Sequence, residues 1–292
     1  MQTFQTFFLV AFLSGMAFLA GAQPTHAAAA DEADTGTMVQ TVQVGAGLRA
    51  DVYTPPAPAK AGLFALSRPA KAPVLLYVHG GGWIKGERGK VYNLPAYAAS
   101  RGYVLISVDY RPVPRTNIDG QVSDVVRGIS WTRANIAKYG GDPGKIVIMG
   151  HSAGSHLVAL IAARKLGGAL RGVVANDVQA YDLIAYEAMR GGMAEVYRKA
   201  FGSNPANWLK WSPVTYVRKA SGFPPFLVMA SRSDRPRRAQ LARAFVGELK
   251  RKGTKVSYFD GARYTHGSIA STIGTSSEVT GALDRFLASV FR

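Results

Sequence analysis

The sequence predicts an α/β fold with a mostly parallel central sheet covered by helices on both faces. Apolar runs of strand length recur at 73–78, 145–149, 171–176, 225–230 and 255–259, and helical patterns alternate with them. At 292 residues with 48% hydrophobic content the chain can bury one large core, and no internal repeat divides it. Between the runs 73–78 and 145–149, residues 119–137 place Val122, Val125, Val126, Ile129 and Ile136 on one helical face. Leu241, Ala242, Phe245 and Leu249 do the same before Gly253. Near the end, Thr275-Ser276-Ser277-Glu278 reads as a capping box that opens a helix burying Val279, Leu283, Phe286, Leu287 and Val290. These stripes are core.

Gly150-His151-Ser152-Ala153-Gly154 directly follows the run 145–149 and leads into the helix-like Ser155-His156-Leu157-Val158-Ala159-Leu160. A strand, a sharp turn and a helix are what a nucleophile elbow requires. Small residues two positions either side of Ser152 let the backbone bend tightly enough to present its hydroxyl. The pattern G-x-S-x-G alone also fits an ordinary strand-to-helix turn, so its context decides.

That context is His79-Gly80-Gly81-Gly82-Trp83, which follows the run 73–78. Consecutive glycines expose backbone N–H groups that no side chain shields, as binding a developing oxyanion requires. A phosphate cradle would end in Gly-Lys-Ser/Thr, which is absent. Gly81 and Gly82 are therefore candidate oxyanion donors, completed by the N–H of Ala153.

A serine nucleophile needs a base, and the chain has five histidines. His26 lies in the leader, His79 in the glycine motif, and His151 and His156 flank the serine too closely to swing back onto it. His266 remains, in a loop after the strand-like 255–259. The acids between Ser152 and His266 are Asp177, Asp182, Glu187, Glu195, Asp234, Glu248 and Asp260. Asp234 follows 225–230 by a short turn and precedes a helix that starts near Pro236, which makes it the expected orienting acid, with Asp260 as the competitor. The order Ser152, Asp234, His266 is nucleophile, acid, base.

With these residues in place the chain, from about residue 38 onward, resembles the α/β-hydrolases of the carboxylesterase group, which includes hormone-sensitive-lipase-like esterases, feruloyl-esterase-like proteins and kynurenine formamidase-like enzymes. The resemblance is carried by His79-Gly80-Gly81-Gly82-Trp83, Asp109-Tyr110-Arg111, Tyr139-Gly140-Gly141-Asp142-Pro143, the Ser152 elbow and Thr265-His266-Gly267. It implies hydrolysis of a small-molecule carboxylic ester through an acyl-enzyme, with no cofactor and no metal. The same triad would serve an arylformamidase-type amide hydrolase. A non-catalytic hydrolase-fold binding protein is the alternative from another class, and an intact candidate triad argues against it. One departure from the family pattern is that Asp109-Tyr110-Arg111 runs into Pro112-Val113-Pro114.

The segment 182–211 reads as a small inserted cap. Its Tyr186, Met189, Met193, Tyr197, Phe201, Trp208 and Trp211 are more aromatic than a connector needs. Either they line a pocket, with Trp83, Tyr186, Met189 and Trp208 as candidates, or they pack onto the sheet edge. The compact site this implies favours short acyl or compact aryl acyl groups.

The formal net charge is +17, but the 35 Lys and Arg residues are spread along the chain and no nucleic-acid motif accompanies them. A solvated basic surface is the simpler reading, and weak adsorption to anionic surfaces is its functional variant. There is no cysteine, hence no disulfide and no lipoprotein attachment.

Residues 1–30 read as a signal peptide and flexible leader. An apolar stretch from Phe7 to Ala22 precedes small-residue cleavage sites, although the amino terminus alone supplies positive charge there. Export to the periplasm or medium is the expectation, and an uncleaved membrane anchor is the minority alternative. Intact-mass measurement of exported protein should give a chain that begins between Gln23 and Asp31. Full-length chain retained in the membrane fraction would favour the anchor.

Overall fold

The computed structural model describes residues 37–56, 71–233 and 236–292. The leader lies outside them, and so does Asp234. Among the described residues no helix is long and apolar enough to cross a membrane.

Eight strands form one sheet: β1 (Met38–Gly45), β2 (Leu48–Thr54), β3 (Ala72–Val78), β4 (Val104–Val108), β5 (Gly141–His151), β6 (Gly172–Asn176), β7 (Phe226–Ser231) and β8 (Val256–Gly261). Their order across the sheet is β1-β2-β4-β3-β5-β6-β7-β8. Only the pairings of β2, with β1 and with β4, are antiparallel. From β4 to β8 every pairing is parallel. The expected mostly parallel sheet is therefore observed, with a hairpin added at one edge.

Helices α1 (Leu94–Ser100), α2 (Ile118–Asn135), α3 (Ala153–Ala163), α4 (Leu183–Arg190), α5 (Glu195–Phe201), α6 (Pro205–Trp211), α7 (Pro213–Val217), α8 (Pro236–Arg251), α9 (Ser268–Ser271) and α10 (Glu278–Phe291) complete the chain. Because successive strand residues point to opposite faces, the buried strands split into two cores. Leu76, Ile106, Ile148 and Val228 pack on one side with Val125 of α2, Leu157 of α3 and Phe245 of α8. Leu75, Leu105, Val147 and Leu227 pack on the other with Tyr97 of α1 and Leu287 of α10. Both faces are covered, which is why these strands are apolar along their whole length.

The α10 stripe is buried as its periodicity implies, but the cap differs from the expected box. Ser277 is the N-cap, and its side chain accepts the N–H of Thr280. Glu278 thus opens the helix and does not reach back from its third position.

The chain leaves β3 for β4 on one side and later returns to β5 on the other. This switch point opens a crevice beyond the carboxyl ends of β3 and β5, where open α/β sheets place their sites. The loop 79–82 follows β3 and Ser152 follows β5, so the topology alone brings the two motifs together.

At this point α3 rests almost directly on β3. A Cβ at Gly154 would lie 2.0 Å from the Val78 carbonyl oxygen, which backbone cannot yield. Gly247 in α8 has open space around it. Gly154→Ala should lower the melting temperature by about 5 °C or more, as overpacking against rigid backbone does. Gly247→Ala should leave it equal or slightly raised through helix propensity. Calorimetry on both variants checks the contrast.

Candidate active site

Ser152 has φ 56° and ψ −121°, a conformation that a non-glycine residue holds only when its surroundings impose it. A Cβ at Gly150 would meet the Gly154 carbonyl carbon and oxygen at 2.3 Å, so both flanking glycines are required by backbone contact. The Ser152 N–H donates to the Asn176 carbonyl at 3.0 Å, which ties the nucleophile to the end of β6.

The His266 Nε2 is 2.9 Å from the Ser152 Oγ. Its Nδ1 is 2.7 Å from a carboxylate, and that carboxylate belongs to Asp177. The orienting acid expected from the sequence, Asp234, lies outside the described residues, and the imidazole position assigned to it is filled by Asp177. Asp177 directly follows β6, the strand beside β5, and its φ of 66° turns it toward the site. It is fully buried. One oxygen accepts the Ser231 N–H at 2.6 Å, and the other accepts the Ser231 hydroxyl at 2.7 Å with the Arg238 guanidinium at 3.3 Å. A buried carboxylate so paired and hydrogen-bonded is satisfied and fixed in direction. The competitor Asp260 is engaged elsewhere, by Arg232 at 3.3 Å and Arg243 at 2.6 Å.

The neighbouring His151 donates from Nε2 to the His266 carbonyl at 2.9 Å, and the two rings lie 4.6 Å apart. Burial first, then the nearby His266, push the His151 pKa down to about 4. It is neutral at physiological pH and sets no like charge against an imidazolium at His266. The donor atoms of His151, Asp177 and His266 lie within 4.8 Å of one another, close enough to consider a cation. One side of that triangle is already the His266–Asp177 hydrogen bond, and the free His266 nitrogen faces Ser152, so the arrangement suits proton transfer.

The N–H groups of Gly81, Gly82 and Ala153 donate to no acceptor among the described residues. Gly81 and Gly82 line the cavities at Ser152, and Ala153 begins α3, whose positive end favours a developing negative charge. The loop has no room for side chains. A Cβ at Gly81 would overlap the Lys85 carbonyl, and one at Gly82 would lie 2.6 Å from Val196.

Trp83, held at φ 65°, anchors this loop. Its carbonyl accepts from the Gln121 side chain at 2.7 Å and from the Val113 N–H at 2.9 Å. The segment that departs from the family pattern is thus a brace for the glycine loop. The Trp83 indole donates to His156 Nδ1 at 3.1 Å, and His156 Nε2 donates to the Trp211 carbonyl at 2.7 Å. One buried imidazole therefore links the elbow helix, the glycine loop and α6. Burial lowers its pKa to about 4.

Two cavities meet at Ser152. The smaller, about 140 Å³, is walled by Trp83, Val178, Gln179, Val196 and Tyr197 together with the Ser152, Asp177, Arg238 and His266 cluster. The larger, about 410 Å³, runs along the glycine loop past Ile84, Lys85, Lys90 and Tyr92. Of the candidate pocket residues, Trp83 lies on a cavity wall. Tyr186, Met189 and Trp208 do not: Tyr186 stacks on Tyr197 at 4.2 Å, Met189 is exposed, and the Trp208 indole donates to the Gly202 carbonyl. The cap reaches the site through Val196 and Tyr197 of α5, because its remaining aromatics pack on one another.

Because His151 and His156 stay neutral when folded but titrate near 6.5 when unfolded, stability should be full above about pH 6.5 and fall as pH drops toward 4. Each contributes a loss of about 2 kcal/mol at pH 4.5. His156→Gln should be less stable than the parent at pH 8 yet lose less between pH 8 and pH 4.5. Denaturant titrations at the two pH values check this.

The family described as BD-FAE matches residues 64–188 of the chain. The chain is 36% identical to Esterase LipQ of Mycobacterium tuberculosis over 239 residues, 76% of this chain and 56% of that protein. It is 29% identical to isoprenylcysteine alpha-carbonyl methylesterase ICME of Arabidopsis thaliana over 206 residues, 63% of this chain and 47% of that protein. The chain thus spans about half the length of these relatives. Among solved structures, the Est2 esterase of Thermogutta terrifontis superposes with a TM-score of 0.66 at 22% identity, covering 87% of this chain and 92% of that one. The chain therefore has the α/β fold of that esterase, with a serine elbow beside a glycine loop, and in sequence it is similar to proteins named as esterases.

Proposed function

We propose that the protein hydrolyses carboxylic esters of short acyl or compact aryl acyl groups through an acyl-enzyme on Ser152. The observation that carries this reading is the unbroken hydrogen-bonded line from Ser152 Oγ through His266 to Asp177. His266 Nε2 takes the Ser152 proton as the oxygen attacks the ester carbonyl, while the Gly81, Gly82 and Ala153 N–H groups receive the oxyanion. Asp177 keeps the Nδ1–H tautomer in place and offsets the imidazolium charge. The alcohol leaves with the proton from Nε2, and a water molecule, deprotonated in the same way, releases the acid.

The size preference is supported by the volume of the smaller cavity, about 140 Å³, walled in part by buried Trp83 and Tyr197. Catalytic efficiency toward p-nitrophenyl esters should peak at short acyl chains, and a steady rise toward long chains would contradict the assignment.

Ser152→Ala and His266→Ala should each lower turnover by roughly 10⁴-fold or more, with the double variant little worse, since these residues act as a unit. Asp177→Asn should lower it by about 10⁴-fold at neutral pH while the fold survives. Asp234→Asn should cost far less. A large loss confined to Asp234→Asn would move the orienting role to that residue.

A further inference from the structure

We infer that the larger cavity binds an anionic group, so that the preferred substrates are esters whose alcohol portion carries a carboxylate. This rests on the ester-hydrolase reading and names the substrate class within it. The two cavities at Ser152 have different charge. In the smaller one the Asp177 carboxylate is paired with the Arg238 guanidinium and hydrogen-bonded to His266. In the larger one Lys85 and Lys90 lie on the wall, and no Asp or Glu does.

Neither lysine has an ion pair among the described residues, although most buried or half-buried arginines nearby do. Arg88, between them in sequence, is held by Asp51 at 2.8 Å and Asp109 at 3.0 Å. The one carboxylate in the loop 79–93, Glu87, is off the cavity wall and pairs with neither lysine. Two ammonium groups are thus left uncompensated beside the nucleophile, on a chain whose net charge of +17 already draws anions in. The cavity is also bounded by Tyr92, whose hydroxyl can donate to a carboxylate oxygen.

The alcohol side is favoured over the acyl side on size. The smaller cavity, lined by Val178, Val196 and Tyr197, is fitted to a compact apolar acyl group, and the leaving alcohol then occupies the roomier, basic one. Lysines suit this task because they act as adaptable point charges, without the fixed fork of arginine.

The test compares two acetyl esters of nearly equal shape, 4-acetoxybenzoate and 4-acetoxybenzamide, on the full protein. The carboxylate ester should show a KM roughly fivefold lower, as two exposed ion pairs supply. That ratio should shrink toward one in about 0.5 M salt, where exposed charges are screened. It should also shrink toward one in the K85Q/K90Q double variant and reverse in K85E/K90E, with circular dichroism confirming that each variant folds. Retention of the ratio in K85R/K90R would support a role for charge over shape. Equal KM values for the two esters, with turnover that disappears in Ser152→Ala, overturn this inference alone. A preference that survives K85E/K90E also overturns it. Hydrolysis of both esters that persists in Ser152→Ala overturns the hydrolase reading and this inference with it.

Discussion

The constraint on which the site depends is the contact of backbone with backbone at the elbow. Gly150 and Gly154 let β5 turn into α3 directly against the carboxyl end of β3, with nothing between α3 and the Val78 carbonyl. From that contact follow the strained φ of Ser152, the exposure of its hydroxyl, and the approach of the glycine loop. A Cβ at Gly80 would come within 3.1 Å of both the Ser152 Cβ and the His151 carbonyl, so the two motifs are packed as closely as chemistry allows. The strain at Ser152 is offset by the bonds around it. Its N–H is held by Asn176, and the helix that starts at Ala153 is fully buried.

The rest of the site is built to keep this arrangement from relaxing. Trp83 fixes the far end of the glycine loop by its carbonyl, through Gln121 and Val113, and by its ring, through His156, Tyr197 and Phe201. The glycine loop is thus held at its Trp83 end, which limits how far its N–H groups can reorganise. Asp177 is fixed in the same manner by Ser231 and Arg238.

Much of this was legible from sequence wherever a function is written in consecutive residues. The elbow and the glycine loop are local patterns, and His266 follows from elimination among few histidines. The orienting acid is not local. It depends on which strand lies beside β5, and Asp177 becomes adjacent only because β6 pairs there in parallel register, with His151 opposite Asn176. The β1–β2 hairpin carries no apolar run because β1 is an edge strand that is exposed along most of its length. The cap could be recognised by its aromatic content, yet composition does not say which side of a short helix faces the nucleophile. Tyr186 and Tyr197 satisfy each other by stacking, and only the second also reaches the cavity.

The spacing of the residues also sets when the site can exist. Ser152 and His266 are 114 positions apart, and the imidazole arrives in the loop after the last strand of the sheet, held by its own carbonyl to His151 and by Ser233 to Tyr264. A chain emerging from its amino terminus therefore carries Ser152 and the glycine loop for more than a hundred residues of synthesis before His266 is made. On the proposed mechanism, reactivity begins only once the chain has been made past β8, whose following loop carries His266. On that mechanism the order of assembly acts as a safeguard, since a chain made only as far as β7 holds a serine that remains an ordinary alcohol.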